Sequence, residues 1–178
     1  MKRFIVQMLI TATLLLYAGC VGAFRCDGPY EGKVVDAETG RPLEGVVVLG
    51  VWDKVYPNVA GSSSEFYDSV EILTNKKGEF RIAGKGVLLF SNLDEMALVV
   101  YKAGYEMLGY CPWSGFKIRS ARKHVQWDGD KPTFKLKKLS YKERKEYDLS
   151  LPGIEQKRQQ LLTDEINKER IEFGYQPL

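Results

Sequence analysis

The sequence predicts an all-β fold: one antiparallel β-sandwich set between an N-terminal export segment and a C-terminal helical tail. Three observations carry that expectation. Apolar residues recur with period two across residues 30–139, short β-branched runs alternate with turn-forming clusters, and helical spacing begins only after Leu139. A chain of 178 residues has room for one ordinary domain and an appendage.

Taken in order, Val34 and Val35 run into Asp36-Ala37-Glu38-Thr39-Gly40, residues that bond their own backbone or accept a positive φ. Pro42 blocks a helix, and Gly45 opens the run from Val46 to Trp52, β-branched and too short to be helical. Residues 70–74 and 79–82 flank Asn75-Lys76-Lys77-Gly78, which reads as a hairpin with glycine at the left-handed position. Residues 98–101 form another strand, and residues 132–139 the last. There Lys135, Lys137 and Lys138 make a solvated side opposite Phe134, Leu136 and Leu139. The faces expected to be buried are Val34, Val46, Val48, Phe80, Ile82, Val100 and Leu136, with Phe80 filling the space between sheets. Two stretches exceed a minimal sandwich. Residues 53–69 are expected to stay a loop too polar to order on its own around Gly61-Ser62-Ser63-Ser64, and residues 105–130 form the second insertion.

Three segments carry a resemblance. Gly32-Lys33-Val34-Val35-Asp36-Ala37-Glu38-Thr39-Gly40-Arg41-Pro42-Leu43-Glu44-Gly45-Val46-Val47-Val48 resembles the opening of the carboxypeptidase regulatory-like domains. Thr74-Asn75-Lys76-Lys77-Gly78-Glu79-Phe80-Arg81-Ile82 and Val99-Val100-Tyr101-Lys102-Ala103-Gly104-Tyr105 are similar to that family's second and third signatures. The likeness covers residues 30–139 and implies a transthyretin-like, prealbumin-type antiparallel β-sandwich of about seven strands. It says little about function, because one fold hosts many activities.

The N-terminus reads as an export signal. Lys2 and Arg3 supply a positive start, residues 4–24 carry no charge, and Ile5, Val6, Met8, Leu9, Ile10 and Leu14 to Leu16 make an apolar run of signal-peptide size. Tyr17-Ala18-Gly19-Cys20 resembles the lipobox of bacterial lipoproteins, with Tyr17 where leucine is usual. That likeness implies a signal peptide over residues 1–19, lipid on Cys20, and a tether over residues 20–29. Val21 rather than aspartate after the cysteine implies the outer membrane. Two other endings stay open: cleavage after Val21-Gly22-Ala23 to give a soluble periplasmic or secreted chain, and an uncleaved anchor. With lipid on Cys20, Cys26 and Cys111 are left to pair in an oxidising compartment. The alternatives are two free thiols, or Cys20 joined to Cys26 where no lipid is added.

Charge and histidine content exclude several functions. Without Lys2 and Arg3, 24 of the 26 basic residues face 23 acidic ones, which leaves no surplus for a nucleic-acid partner. His124 is the only histidine. A zinc peptidase needs two histidines and a glutamate, and the hydrolases related to transthyretin need several histidines. His124 beside Cys111 or Ser120 lacks a G-x-S-x-G nucleophile elbow. Asp128-Gly129-Asp130, even with Asp94-Glu95, is too short for a calcium loop and reads as a turn. Gly84-Lys85-Gly86 lacks phosphate-loop spacing. Trp52, Trp113, Trp127, Tyr56, Tyr105 and Tyr110 serve as core and loop anchors or as a ligand platform, the first being favoured. No metal or cofactor is expected.

Residues 140–178 form the tail. A charged turn or two at residues 141–147 is broken by Ser150-Leu151-Pro152-Gly153. Ile154, Leu161, Leu162, Ile166 and Phe173 then repeat at helical spacing, ending at Gly174 and Pro177. Such a stripe needs a covering surface, its own sandwich by preference or another envelope protein. Asn167-Lys168-Glu169-Arg170 reads as the solvated side. The expectation is a non-catalytic envelope-anchored binding or structural lipoprotein. Its partners would be the membrane and an envelope protein or polysaccharide. The alternative is an accessory subunit of an envelope or secretion assembly.

Overall fold

In the computed structural model, which describes residues 24–59, 61–110, 124–129, 131–147, 149 and 151–178, the period-two segments form strands and the fold is all-β. The strands are β1 (Phe24–Asp27), β2 (Tyr30–Asp36), β3 (Val47–Asn58), β4 (Gly61–Leu73), β5 (Glu79–Ile82), β6 (Gly86–Leu89), β7 (Ala97–Tyr101), β8 (Leu108–Tyr110), β9 (Val125–Asp128) and β10 (Lys131–Leu136). Two short helices follow, α1 (Tyr141–Glu146) and α2 (Gln160–Glu172).

One four-stranded sheet runs β5-β2-β10-β9 and the other β4-β3-β7-β8, while β1 and β6 pair as a separate ribbon. Between the sheets Val34, Phe80, Ile82, Phe134 and Leu136 meet Val48, Trp52, Leu98, Val100 and Leu108 in one apolar layer. All seven residues expected inside are buried. The Phe80 ring lies 5.9 Å from that of Phe134. Gly32 sits opposite Phe80 in register, and a Cβ there would meet its ring at 2.6 Å. Only glycine lets the ring cross the strand. The sheets are not wholly antiparallel as expected. β10 lies parallel to β2, because the chain crosses to the other sheet and returns before adding its last strand.

The expected turns form for the expected chemical reasons. Asp36 accepts bonds from the amides of Thr39 (2.8 Å) and Glu38 (3.0 Å) and from the Thr39 hydroxyl. The Thr39 amide above all holds the Asp36 carboxyl below its ordinary value, against burial. Asn75 caps its turn in the same way, accepting from Lys77 (2.9 Å) and Glu79 (3.0 Å). Gly78 has φ 73°, and a Cβ there would sit 2.3 Å from the Val34 carbonyl oxygen. Gly78→Ala is therefore expected to cost about 2 kcal/mol, combining left-handed strain with a backbone clash, readable as a lower denaturation midpoint.

Several expectations are corrected. The segment around Gly78 is not a hairpin: β4 and β5 belong to different sheets, and the turn carries the chain from one layer to the other. Residues 53–58 and 61–69 are not a loop. β3 and β4 continue as one long hairpin past a bulge at Trp52/Asp53, with Val55 opposite Ser64 and Tyr56 opposite Ser63. Cross-strand pairing satisfies the backbone that the serine run could not order alone. Residues 24–27, expected within the tether, form β1, held by pairing to residues 86–89.

The tail packs on its own domain. Leu162 and Ile166 of α2 join Val47, Leu49 and Tyr101 on the outer face of the second sheet. The helix start is capped from a strand: Glu71 accepts from the amides of Leu161 (2.9 Å) and Leu162 (2.8 Å). Residues 167–170 are not simply the solvated side. Glu169 is buried, accepts from the Gly104 amide, and binds Arg144 at 2.8 Å. Arg144 also reaches Glu172 and lies 5.2 Å from the Phe173 ring, which locks α1 onto α2.

Candidate functional site

At the end of the sandwich where β2, β7 and β10 begin, the sheets leave a cleft of about 390 Å³. Its apolar floor is Phe80, Met96 and Leu98, and its rim carries Arg25, Tyr30, Glu31, Glu95, Trp127 and Pro132. This is the composition of a small-ligand site, an apolar base with a few placed polar groups. A second depression beside it, reaching Lys33, Arg81 and Asp128, is broader. Glu31 there pairs with Arg81 at 2.7 Å and with Lys131 at 2.8 Å.

Asp27 builds the wall of the cleft. The strand pairing of β1 turns this residue inward, where it is 2% exposed. One carboxylate oxygen accepts the Tyr30 hydroxyl. The other accepts the Trp52 indole N–H at 3.0 Å and the Lys85 amide at 2.7 Å. Burial first, and then Asp27, pushes the Tyr30 phenol well above its usual range, so Tyr30 stays a proton donor. Lys85 in turn lies 4.2 Å over the Trp52 ring and pairs with Asp68. Tyr30, Trp52 and Lys85 thus hold the wall together through Asp27.

Glu95 differs. Its Oε1 lies 3.9 Å from Arg25, whereas its Oε2 is buried without a hydrogen-bond partner. Arg25 is occupied elsewhere, donating to the Leu93 and Asp94 carbonyls. Burial raises the Glu95 pKa, with Asp94 and Asp27 adding to it and Arg25 opposing. A carboxyl whose folded pKa is raised adds stability at low pH and loses it as pH climbs through the folded value. Glu95→Gln should therefore raise the melting temperature at neutral pH. That gain should fade below roughly pH 4, where the wild-type group is protonated in both states.

The residues singled out in the sequence do not gather here. His124 stands 3.9 Å from Glu106 and does not line the cleft. Asp128 is the last residue of β9, paired with Lys131, Gly129 turns the chain toward β10, and Asp130 lies outside the described residues. Among the described residues no group of three or more His, Cys, Asp or Glu is placed to hold a metal ion. Trp52 is core, Tyr56 sits exposed on the long hairpin, Tyr105 donates to Asp36 at 3.2 Å, and only Trp127 reaches the cleft. Tyr110 lies on β8, and Trp113 is outside the described residues. Cys26 is an exposed free thiol, and Cys20 and Cys111 are outside the described residues. Arg25, Asp27 and Glu95, which shape the cleft, were not legible as a site. The first two fall in a four-residue strand too short to show a period, and Glu95 falls between strands.

No family model, no curated protein and no solved structure matches the chain. No helix among the described residues is long and apolar enough to cross a membrane.

Proposed function

We propose that this chain is a non-catalytic envelope lipoprotein, held by lipid on Cys20, that binds its partner in the cleft at the end of a transthyretin-like sandwich. The sandwich assignment is supported by the three family-like segments and by two facing four-stranded sheets that share one core. The binding role rests on one observation, the buried acceptor of Glu95 left unmatched beside an apolar floor. An unpaired buried oxygen is costly until a donor arrives, so the cleft suits a ligand with an amine or hydroxyl on an apolar body. Envelope peptides and polysaccharides both carry such groups.

The test is an NMR titration of the full chain with soluble amine-bearing peptides and oligosaccharides from the cell envelope. Shifts at the Trp127 indole and the Met96 amide are expected for one of the two, with affinity about tenfold weaker in Glu95→Gln. Unmoved cleft resonances with both probes would contradict the binding role. The alternative is an accessory subunit of an envelope or secretion assembly; on that reading a partner would have to dock elsewhere than on Leu162 and Ile166 of α2, which face the second sheet.

A further inference from the structure

In the β1–β6 ribbon the usual order of faces is reversed. Phe24 stands opposite Leu89 and Cys26 opposite Val87, so these four share one face. The other face turns inward: Asp27 is buried, Arg25 bonds the backbone of Leu93 and Asp94, and Leu88 packs against the core. A ribbon on a protein surface normally points its polar side chains at water. Here Phe24, Val87 and Leu89 are 59%, 61% and 63% exposed, and Phe90, the next residue, is 87% exposed. No charged side chain stands on that face.

We propose that this face seats on the lipid surface to which the chain is anchored. The inference rests on the anchoring reading and adds a second contact to it. Two considerations choose lipid over other occupants. Cys20 precedes Phe24 by four residues, a span of at most about 14 Å when fully extended. Lipid on Cys20 therefore holds the ribbon within reach of the headgroup layer and its acyl boundary. Secondly, Phe24, Val87 and Leu89 together offer on the order of a few hundred Å² of exposed surface, a size found for functional patches. A stable pairing of two copies needs about 800 Å² on each partner. Partial insertion beside an existing anchor needs no such area, because the anchor already supplies the local concentration. Seating also fixes the orientation of the cleft, since Arg25, Cys26 and Asp27 line it. The cleft would open beside the membrane rather than away from it.

The test uses the full-length lipidated protein in phosphatidylethanolamine–phosphatidylglycerol vesicles. A nitroxide is placed at Leu89→Cys, or at Val87→Cys should that variant fold poorly, in a Cys26→Ser, Cys111→Ser background. A control label sits at Tyr175→Cys, which is exposed on the tail. Collision with a water-soluble nickel relaxant should be about fivefold lower at the ribbon than at the control, with oxygen collision correspondingly higher, as for side chains at the acyl boundary. Equal accessibility at both positions overturns the seating, and so does dipolar broadening between labels, which would mean a second copy on the face. The intact mass of the same preparation separates the two readings. A lipidated chain with a water-exposed ribbon label sinks the seating alone, whereas an unlipidated chain sinks the anchor on which it rests.

Discussion

Asp27→Ala should lower the unfolding free energy by about 4 kcal/mol, a shift of about 2 M in the urea midpoint for a domain of this size. The magnitude follows from what loses its partner. The Trp52 indole N–H and the Lys85 amide both donate to one oxygen of Asp27, and the Tyr30 hydroxyl donates to the other. A donor stranded in a buried position costs about 1–3 kcal/mol, which applies above all to the buried Trp52 indole N–H. The loss should also be local. Asp27 ties β1 to Trp52 on β3 and to the entry of β6, so amide exchange in residues 24–27 and 86–89 should quicken before the main sheets open. Asp27→Asn keeps an acceptor and should lose roughly half as much. A loss under about 1 kcal/mol for the alanine variant would show that the network is not what holds the cleft wall.

The second large effect is expected at Glu169. Its carboxylate, almost fully buried, accepts from the Gly104 amide at the β7–β8 turn and from Arg144 Nε at 2.8 Å. Removing it leaves a guanidinium that is itself only 16% exposed with Glu172 as its remaining partner. Breaking such a pair from one side typically costs 3–5 kcal/mol, and the surviving Glu172 contact places Glu169→Ala near about 3 kcal/mol. A charge-conserving Glu169→Asp variant shortens the reach and should recover only part of that, since the Gly104 amide sits across the helix–sheet gap. The double variant Glu169→Ala, Arg144→Met should be more stable than Glu169→Ala alone, because the largely buried guanidinium that has lost one of its two carboxylates is then gone. Chemical denaturation of the wild type, Glu169→Ala, Arg144→Met and the double variant measures the coupling. Additive effects would mean that the pair does not fasten the tail.

What the sequence made legible was the part governed by local rules. Period-two alternation marked the buried faces, and the seven residues expected inside lie in the core. Asp36 and Asn75 marked turns through bonds to their own backbone. Pairing between distant segments was not legible. The serines of β4 look unstructured until Tyr56 and Val55 stand opposite them, and the turn at Gly78 looks like a hairpin until its two strands enter different sheets. One signal was available and pointed to the tail. Val46-Val47-Val48-Leu49 is apolar at every position rather than alternating, and all four are buried. A strand covered on both faces needs that pattern, and α2 supplies the second cover through Leu162 and Ile166. Glu169 escaped notice because a carboxylate in a charged run on a helix gives no sign of its long-range partners. The cleft escaped for the same reason. Asp27 and Glu95 are far apart in sequence, and nothing local to either signals a shared wall.

Function turns on where the domain is held, because a cleft and an outward apolar ribbon beside Phe24 have different uses on a membrane and in free solution. Tandem mass spectrometry of the N-terminal peptide of the protein from its native cells and their medium reads this directly. A peptide that begins at Cys20 and carries a diacylglyceryl group is the expected result. One that begins at Phe24 with no added mass would show that the chain is released, and both the anchor and the seating of the ribbon would be wrong.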